Sequence, residues 1–590
     1  MKMNKKLIIL LAVTFLMMGC KDLITPQIEN NRQLEQSYNP NDARFPYGLI
    51  LNGYDRIPTS SWSFDDVATD DAVSNDKSNA YLKVATGQWT SNFNPLDRWT
   101  GCFAAIQYMN LMLEQVDKVT WTQDSAVANL FAMRVKGEAY GLRALFYYYL
   151  LKAHAGVGEN GDVLGVPIIL HSQAVGDNFN LPRASFKDCI KQIYSDIDSA
   201  EQLLPLDYQD ISDNSQIPSK YGSITIEEYN RALGKAMSGL FSGRVAMAIK
   251  AKSALLAASP AFSAAGASSW ADAANDAAAI IDLNGGVNGL AANGLTWYTN
   301  ASEIAGLADG QNPPEILWRT NYGESNNLES DNFPPTLNGK GRLDPTQNLV
   351  DAFPMSNGYP ISNTTSGYSA SDPYANRDPR LSTFILFNGG EAGVNNSVIN
   401  TAVDGSTNDA LNKTETSTRT GYYLRKLLRQ DVNLSSTSTT TQRHYKPLIR
   451  YTEIYLIYAE AANEAWGPLG TGGHSYSAYD VIKAIRQRAG IGLNNGDAYL
   501  ESIKGDKDAM RTLIRNERRL ELCFEGFRFW DLRRWQAPLT ETAKGVSITN
   551  NNNYSYINVE NRVYQNYMQY GPIPYSETLK FNALIQNKGW

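Results

Sequence analysis

The sequence predicts a mainly α-helical protein with a large irregular insert, and three observations support this fold class. Apolar residues recur every three or four positions in several long segments of the 590-residue chain, a pattern typical of helices with one buried face. These segments form two groups, within about residues 46–263 and 444–540. Between them, residues 264–443 are rich in Gly, Asn, Ser, Thr and Pro, which favours loops.

The first group begins the helical scaffold, and the segment around residues 183–205 has the clearest helix signals. Ser185 is placed to cap the helix, Phe186, Ile190 and Ile193 begin its apolar stripe, and Pro205 ends it. The helices of this group are predicted within 101–116, 135–153, 183–205 and 243–260.

The second group supplies a helical hairpin and a last, highly charged helix. The hairpin is predicted from residues 451–467 and 477–490, and the charged helix lies in residues 515–535. No 34-residue period and no tetratricopeptide consensus is found, so any repeat is structural only. Residues 46–590 are interpreted as a single domain that ends in an irregular, aromatic tail at 541–590.

The first residues form an export signal. A basic start is followed by an apolar stretch from Leu7 to Met18, which is shorter than the ~20 residues needed to cross a membrane. Met18-Gly19-Cys20 resembles a bacterial lipobox, in which residues 1–19 are removed and the Cys20 thiol carries the lipid. The alternative is an ordinary secretory signal with a chance cysteine. Residues 20–45 are polar and are interpreted as a tether.

Charge and cysteine content exclude some functions. Removal of residues 1–19 takes away three lysines and changes the net charge from −7 to −10, which disfavours binding to nucleic acid. The spacing of Cys102, Cys189 and Cys523 fits no zinc pattern, and we interpret them as small buried apolar residues. The alternative is that two of them form one disulfide.

The charged helix contains the one serious candidate for a catalytic centre. Glu517, Glu521 and Glu525 are spaced to lie on one helical face, and a glycosidase needs two carboxylates ~5–9.5 Å apart. However, Arg515, Arg518 and Arg519 lie within one turn of these acids. Neighbouring arginines lower a carboxyl pKa, whereas a general acid needs a raised one. We therefore interpret the stretch as a structural array of ion pairs. A helical glycoside hydrolase is the alternative.

An acidic segment near the N-terminus has three interpretations. Asp65, Asp66, Asp70 and Asp71 are expected to form a solvated loop, but carboxylates of this kind also bind calcium or sugar hydroxyls. No motif supports calcium, so no cofactor is predicted.

Five motifs occur in the same order as in one known family. The most specific, NERRLELCFEGFRFWDLRRW at residues 516–535, is similar to the C-terminal signature of the SusD/RagB family of surface lipoproteins. The other four are GEAYGLRALFYYYLLKAHAGV (137–157), RDPR (377–380), PLIRYTEIYLIYAEAANEA (447–465, with Thr452 in place of the usual Ala) and GPIPYSETLKFNALIQNKGW (571–590).

The resemblance implies a fold and a function. The fold is a scaffold of tetratricopeptide-like helical hairpins carrying an irregular loop region. The function is that of a non-catalytic lipoprotein on the outer face of the outer membrane. Such a protein captures oligosaccharides and acts as a lid over a partner, a SusC-like TonB-dependent β-barrel transporter.

A sugar site should combine aromatic rings, which lie against the C–H faces of pyranoses, with amide and charged groups that bind hydroxyls. Two regions have this composition. The candidate ligand-binding residues are Trp89, Asn92, Trp297, Tyr298, Trp318 and Tyr322. The alternative is that each ring packs in the core, which the sequence around Trp318 favours. A scaffold that binds peptides is a third functional interpretation, and the sequence does not identify the ligand.

Overall fold

A computed structural model describes residues 43–58, 62, 64–308, 310–549 and 553–590. The export signal, Cys20 and most of the tether lie outside the described residues. In chain order, the α-helices are α1 (Arg44–Asp55), α2 (Ala80–Lys83), α3 (Trp99–Gln115), α4 (Ser125–His154), α5 (Phe186–Leu203), α6 (Ile226–Leu233), α7 (Gly243–Ala258), α8 (Trp270–Leu283), α9 (Ala301–Gly306), α10 (Asn327–Asn332), α11 (Gln347–Ala352), α12 (Pro379–Phe384), α13 (Tyr451–Trp466), α14 (Ala478–Arg488), α15 (Ala498–Ile503), α16 (Lys507–Glu521), α17 (Arg528–Arg534) and α18 (Tyr575–Lys580).

The long helices form one continuous array. Helices α1, α3, α4, α5, α7, α8 and α13 pack in that order, each against the next, and α13 also contacts α14 and α16. The mainly α fold class is therefore confirmed. In α5, Ser185 accepts a hydrogen bond from the Asp188 N–H, and Phe186, Ile190 and Ile193 are buried, as the helix signals predicted.

Small residues allow the helices of the array to approach closely. Within α4, a Cβ built at Gly141 would lie 2.2 Å from the Phe241 ring, and one at Gly137 would lie 2.7 Å from Leu204. Any larger side chain at these two positions would force the packed elements apart, because real Cβ contacts do not reach such distances.

The strands are short and form two-stranded antiparallel sheets. The pairs are β1 (Ala72–Ser74) with β6 (Leu343–Pro345), β2 (Gly156–Val157) with β3 (Val163–Leu164), β4 (Ile316–Arg319) with β12 (Pro447–Arg450), β5 (Gly323–Ser325) with β11 (Gln442–His444), β7 (Ile385–Leu386) with β10 (Tyr423–Leu424), β8 (Glu391–Ala392) with β9 (Ser397–Val398), and β13 (Ala543–Thr549) with β14 (Asn553–Glu560).

The insert differs from its expected form at its beginning. Helix α8 lies within residues 264–443, yet it belongs to the helical array because Ala277, Ile280 and Ile281 are buried and the helix packs against α7 and α13. Ser269 caps it through a reciprocal pair of hydrogen bonds with Asp272. The high alanine content concealed this helix, since alanine gives a weak apolar stripe.

The rest of the insert has its own hydrophobic core. This second core contains Phe353, Phe384 and Tyr422 from the insert, and it also takes in Leu520 and Phe524 from the end of the charged helix and the turn after it. The scaffold and the insert thus share apolar contacts. Cys102, Cys189 and Cys523 are all buried and free, as small apolar residues would be.

A buried ion network connects the same two parts. The side chains of Glu517 and Glu521 are fully buried, and that of Glu525 is nearly so. Glu521 pairs at 2.6 Å with Arg488 of α14 and at 3.3 Å with both Arg450 and Arg380. The other pairs of the network are Glu517 with Arg380 (2.9 Å) and Arg486 (2.6 Å), and Glu525 with Arg450 (2.5 Å) and Lys426 (2.7 Å).

The structural interpretation of the charged helix is confirmed, but its partners are not the neighbouring arginines. Arg518 pairs with Asp531 at 2.7 Å, Arg519 pairs with Asp70 at 2.9 Å, and the Arg515 guanidinium lies 4.8 Å from the Trp535 ring centroid. These arginines project from other faces of the helix. The glutamates therefore need cations from distant segments, including Arg380 of the RDPR motif.

The expectation of a solvated acidic loop is wrong. Asp65, Asp66, Asp70 and Asp71 are all buried, and Arg519 and Arg528 bind the last two. Among the described residues, no group of three or more His, Cys, Asp or Glu is arranged to hold a metal ion. The segment is instead fixed against the charged helix.

The network generates a stability prediction. Glu521→Gln leaves Arg380, Arg450 and Arg488 with one carboxylate fewer in a buried site, so we expect the free energy of unfolding to fall by about 3–5 kcal/mol. Chemical denaturation of the soluble form, residues 21–590, measures the change. Asp117→Asn, which breaks an exposed pair with Lys136, serves as the control and should have no measurable effect.

The pH dependence of this difference is a second readout of the same variant. Burial raises the pKa of the Glu521 carboxyl, but Arg488, Arg450 and Arg380 outweigh it and hold that pKa below its usual value. The carboxylate therefore stabilises the fold above its unfolded pKa of about 4.3, and this contribution is lost as pH falls through the lower folded pKa. The difference in free energy of unfolding between wild type and Glu521→Gln should therefore become smaller below about pH 4. A constant difference would contradict the network.

Candidate functional site

A large groove lies where the insert meets the segment before α2. Its volume is about 870 Å³. Its walls come from residues 62, 64–81, 320–332, 340–342 and 444–446, and we call this space the groove. The lining side chains are Trp62, Phe64, Ser74, Asp76, Asn79, Ala80, Tyr81, Thr320, Ser325, Asn327, Leu328, Ser330, Asp331, Asn332, Lys340, Arg342, His444, Tyr445 and Lys446.

Three partly exposed rings form an aromatic wall on one side of the groove. Trp62 and Phe64 are stacked, with ring centroids 6.4 Å apart and planes 20° from parallel, and Tyr81 lies nearby. Phe64 has a left-handed backbone with φ 45°, which is unfavourable for a large side chain. Strain of this kind persists only where surrounding contacts fix it, and it concentrates at functional sites.

The buried aspartates fix the backbone that carries this wall. Directly after Phe64, Asp65 accepts a hydrogen bond from the Trp530 indole at 2.8 Å, and Asp66 accepts one from the Phe524 N–H at 3.2 Å. Because Trp530 and Phe524 belong to the signature stretch, the charged helix and its continuation determine where the rings of the wall lie.

The rest of the groove lining presents hydrogen-bonding groups. His444 lies 2.9 Å from buried Glu329, Lys340 pairs with Asp331 at 2.9 Å, and Arg342 donates to Asn75 at 3.1 Å. Amide, hydroxyl and charged groups of this kind can donate to and accept from sugar hydroxyls. The groove therefore combines ring faces with polar partners, as a carbohydrate site requires.

The acids of the groove are poorly suited to glycoside hydrolysis. Hydrogen bonds from the Ser78 hydroxyl and N–H lower the pKa of Asp76, and Asp331 is held by Lys340. A general acid needs a raised pKa. Glu517 and Glu521 of α16, and Glu525 of the turn between α16 and α17, are buried in ion pairs and do not line the groove.

Trp297 and Tyr298 lie one layer behind the wall instead of on it. Trp297 is 1% exposed, and its ring centroid lies 6.3 Å from that of Trp62 and 5.4 Å from that of Tyr445. Tyr298 packs edge-on against Trp297 at 5.5 Å. Neither ring offers a free face to a sugar in this structure. Their place in the second core makes them supports for Trp62.

Of the two remaining candidates from this region, Trp318 lies in the core and Tyr322 lies nearer the surface. Trp318 is 3% exposed, packs against Phe241 at 5.6 Å and donates to the Gly239 carbonyl at 2.9 Å, so it belongs to the scaffold core. Tyr322 is half-buried, and Arg443 lies 4.5 Å from its ring centroid. It sits beside the groove residues Thr320 and Ser325 in the chain without lining the groove itself.

Trp89 and Asn92 belong to a different part of the molecule. Trp89 is 2% exposed, contacts Phe529 at 5.7 Å and Trp590 at 4.8 Å, and donates to Asn94 at 3.0 Å. Asn92 is exposed but does not line the groove. The assignment of Trp89 to a binding surface is corrected, because its ring is covered by neighbouring aromatic side chains.

Sequence reasoning missed the rings of the wall. Trp62 and Phe64 immediately precede the acidic segment, and the aspartates drew attention away from them. The available signal was two large rings at alternate positions in a serine-rich stretch, which is unusual for a purely structural segment.

Comparisons with known proteins agree on one family. A sequence model described as "SusD family" matches residues 314–590, and one described as "Starch-binding associating with outer membrane" matches residues 48–222. A SusD-like protein, P38, of Formosa agariphila is 22% identical over 441 residues, which are 74% of this chain and 71% of that protein.

Solved structures share the fold over nearly the whole chain. A SusD-like protein from Bacteroides fragilis superposes with a TM-score of 0.71 at 22% identity, covering 94% of this chain and 98% of its own. A SusD-like carbohydrate-binding protein from the same organism gives a TM-score of 0.66 at 21% identity, covering 92% and 99%. In the part of the chain that the structure describes, no helix is long and apolar enough to cross a membrane.

The position of Trp297 generates the next prediction. Trp297→Ala removes a fully packed indole, and we expect it to lower the free energy of unfolding by about 3–5 kcal/mol. Chemical denaturation measures the loss, and Tyr575→Ala, at an exposed ring outside the groove, is the control. If Trp297→Ala left stability unchanged, the ring would not be a buried support.

Proposed function

The chain belongs to the SusD family, and from this premise we propose that it is a cell-surface lipoprotein that captures oligosaccharides in the groove. The observation that carries the proposal is that the Trp62–Phe64–Tyr81 wall and a set of hydrogen-bonding groups line the same groove. The B. fragilis relative described as a carbohydrate-binding protein supports this assignment.

The wall and the polar groups divide the work of binding. A pyranose lying on Trp62 or Phe64 buries C–H groups against the ring, and each such contact contributes about 0.5–1.5 kcal/mol beyond burial of area. The side chains of Asn79, Asn327 and Arg342, which also line the groove, can form hydrogen bonds with the hydroxyl groups of the sugar. With only two or three rings, the proposed site should bind a single sugar weakly. A polymer should bind with higher overall affinity, because it occupies the sites of several protein molecules at once.

The proposal extends to location and partner. The lipobox-like sequence at Cys20 would attach the chain to the outer membrane, and two or three buried acyl chains make such attachment stable. The family model that matches residues 48–222 is described as associating with the outer membrane, which supports this location. A SusC-like TonB-dependent transporter is the proposed recipient of the captured glycan.

Catalysis is not part of the proposed function. Glu517 and Glu521, the strongest sequence candidates for a hydrolase, are locked between arginines. Incubation with a glycan panel should release no new reducing ends. Sustained release that Glu517→Gln abolishes would favour the hydrolase, and binding of peptides instead of glycans would favour a peptide-binding scaffold.

Substitution of the wall tests glycan binding. Trp62→Ala should weaken the best-bound oligosaccharide of a glycan panel by roughly two- to tenfold, because one stacking contact is lost. Isothermal titration calorimetry on residues 21–590 measures this change, and unfolding curves establish that the variant is folded. Tyr575→Ala should bind as wild type does. Equal affinity of Trp62→Ala and wild type would contradict a role for the wall.

Membrane attachment has a separate test. Cys20→Ser should abolish incorporation of labelled fatty acid and release the protein from the outer-membrane fraction, since the thiol is the proposed lipid acceptor. Fractionation of cells expressing each form measures both effects, and affinity purification of the wild type should recover a large β-barrel protein. Unlipidated wild-type protein in the periplasm would contradict the anchor.

A further inference from the structure

A second, smaller cavity lies behind the groove. Its volume is about 140 Å³, enough for several waters or one small oxyanion. We call it the inner chamber. Trp62 and Lys446 line both the groove and the inner chamber, so the two spaces adjoin at these side chains. The charged residues that line the inner chamber are Asp65, Arg98, Lys152, Lys252, Lys446, Arg450, Glu453 and Glu525.

The inner chamber has an excess of positive charge. Its five cationic side chains face three carboxylates, and each of these carboxylates already has a partner. Glu453 pairs with Lys252 at 2.6 Å, Glu525 pairs with Arg450 at 2.5 Å, and Asp65 accepts from the Trp530 indole at 2.8 Å.

Lys152 is a cation of the inner chamber without a direct ion pair to any described residue, although Asp65, Glu453 and Asp531 lie near enough to favour its charged form. Within the described residues, its ammonium makes no hydrogen bond and no ion pair, and its nearest defined contact is the Trp530 ring centroid at 4.5 Å. Burial, followed by the charge of Lys252, lowers the pKa of Lys152 to about 7. A half-buried ammonium with a lowered pKa would be stabilised by any oxyanion that entered the inner chamber.

We propose that the inner chamber binds an oxyanion substituent, a carboxylate or a sulfate ester, of a glycan held in the groove. This inference rests on the proposed function and narrows its ligand class to acidic glycans. A sugar on Trp62 lies close to the inner chamber, since the Lys446 ammonium is 5.5 Å from the Trp62 ring centroid and lines both spaces. Lys152 then supplies the charge inside.

The test uses matched pairs of oligosaccharides. Each acidic member, an oligouronate or a sulfated oligosaccharide, is compared with its methyl-esterified or desulfated partner by calorimetry. At least one acidic member should bind about tenfold more tightly than its neutral partner. Lys152→Met, which keeps the apolar stem but removes the charge, should abolish this preference while neutral binding persists. Lys191→Met, at an exposed lysine on α5, should preserve the preference.

The outcomes separate this inference from the proposed function. If glycans bind but acidic and neutral members bind equally, or if Lys152→Met keeps the preference, the inner-chamber inference is overturned and glycan capture stands. If no glycan binds, the proposed function fails and the assignment to a glycan substituent fails with it.

Inorganic sulfate tests whether the inner chamber binds an oxyanion that is not attached to a sugar. Sulfate, compared with chloride at equal ionic strength, stabilises both wild type and Lys152→Met through its general effect on burial. Wild type should show an additional rise in melting temperature, because only its inner chamber keeps the Lys152 charge that binds the anion. Equal shifts in the two proteins would overturn the inner chamber as an oxyanion site.

The pH profile gives an independent readout. Burial also lowers the pKa of Lys446, to about 8. Preference for the acidic member should therefore decline as the pH rises through about 7 to 8, while binding of the neutral member stays constant; a preference that does not change would contradict the role of the lysines. The charged groups that face Lys152 from the surrounding elements are Asp65, Lys252, Glu453 and Asp531.

Discussion

The ion network around Glu521 is the constraint on which the rest of the structure depends. One buried carboxylate binds Arg380 from the insert, Arg450 from the end of β12 and Arg488 from α14. Unpaired charge in such a site is costly, so none of these segments can move away without leaving the others uncompensated. The helical array and the irregular insert are consequently held in one fixed relation, to which the shared apolar core around Leu520 adds.

The groove is a product of that fixed relation. One wall is carried by the segment that Asp65 and Asp66 anchor to the signature stretch, and the other comes from the insert and the residues between β11 and β12. A frame whose buried acids are held in ion pairs, with an open, ring-lined space beside it, suits capture of a ligand, because binding then requires little ordering of the protein.

The sequence predicted a good part of this organisation. The apolar periodicity of α3, α4, α5 and α13 follows from local spacing, and the signature stretch was interpreted correctly as structural because arginines and glutamates alternate too densely for free acids. Helix α8 escaped detection because alanine contributes little to a stripe. The site was less predictable: Trp297 and Trp62 are both tryptophans in polar surroundings, yet one is buried and the other faces the groove.

The sequence by itself determined the helical scaffold, the irregular insert and the family resemblance, because periodicity and motif order are properties of neighbouring residues. Tertiary structure alone decided which cations reach Glu517 and Glu521, that Asp70 and Asp71 are buried, and which rings remain open. Each of these depends on segments that are far apart in the chain. Exposure and charge pairing are set by what packs against a side chain, and no local pattern records that partner.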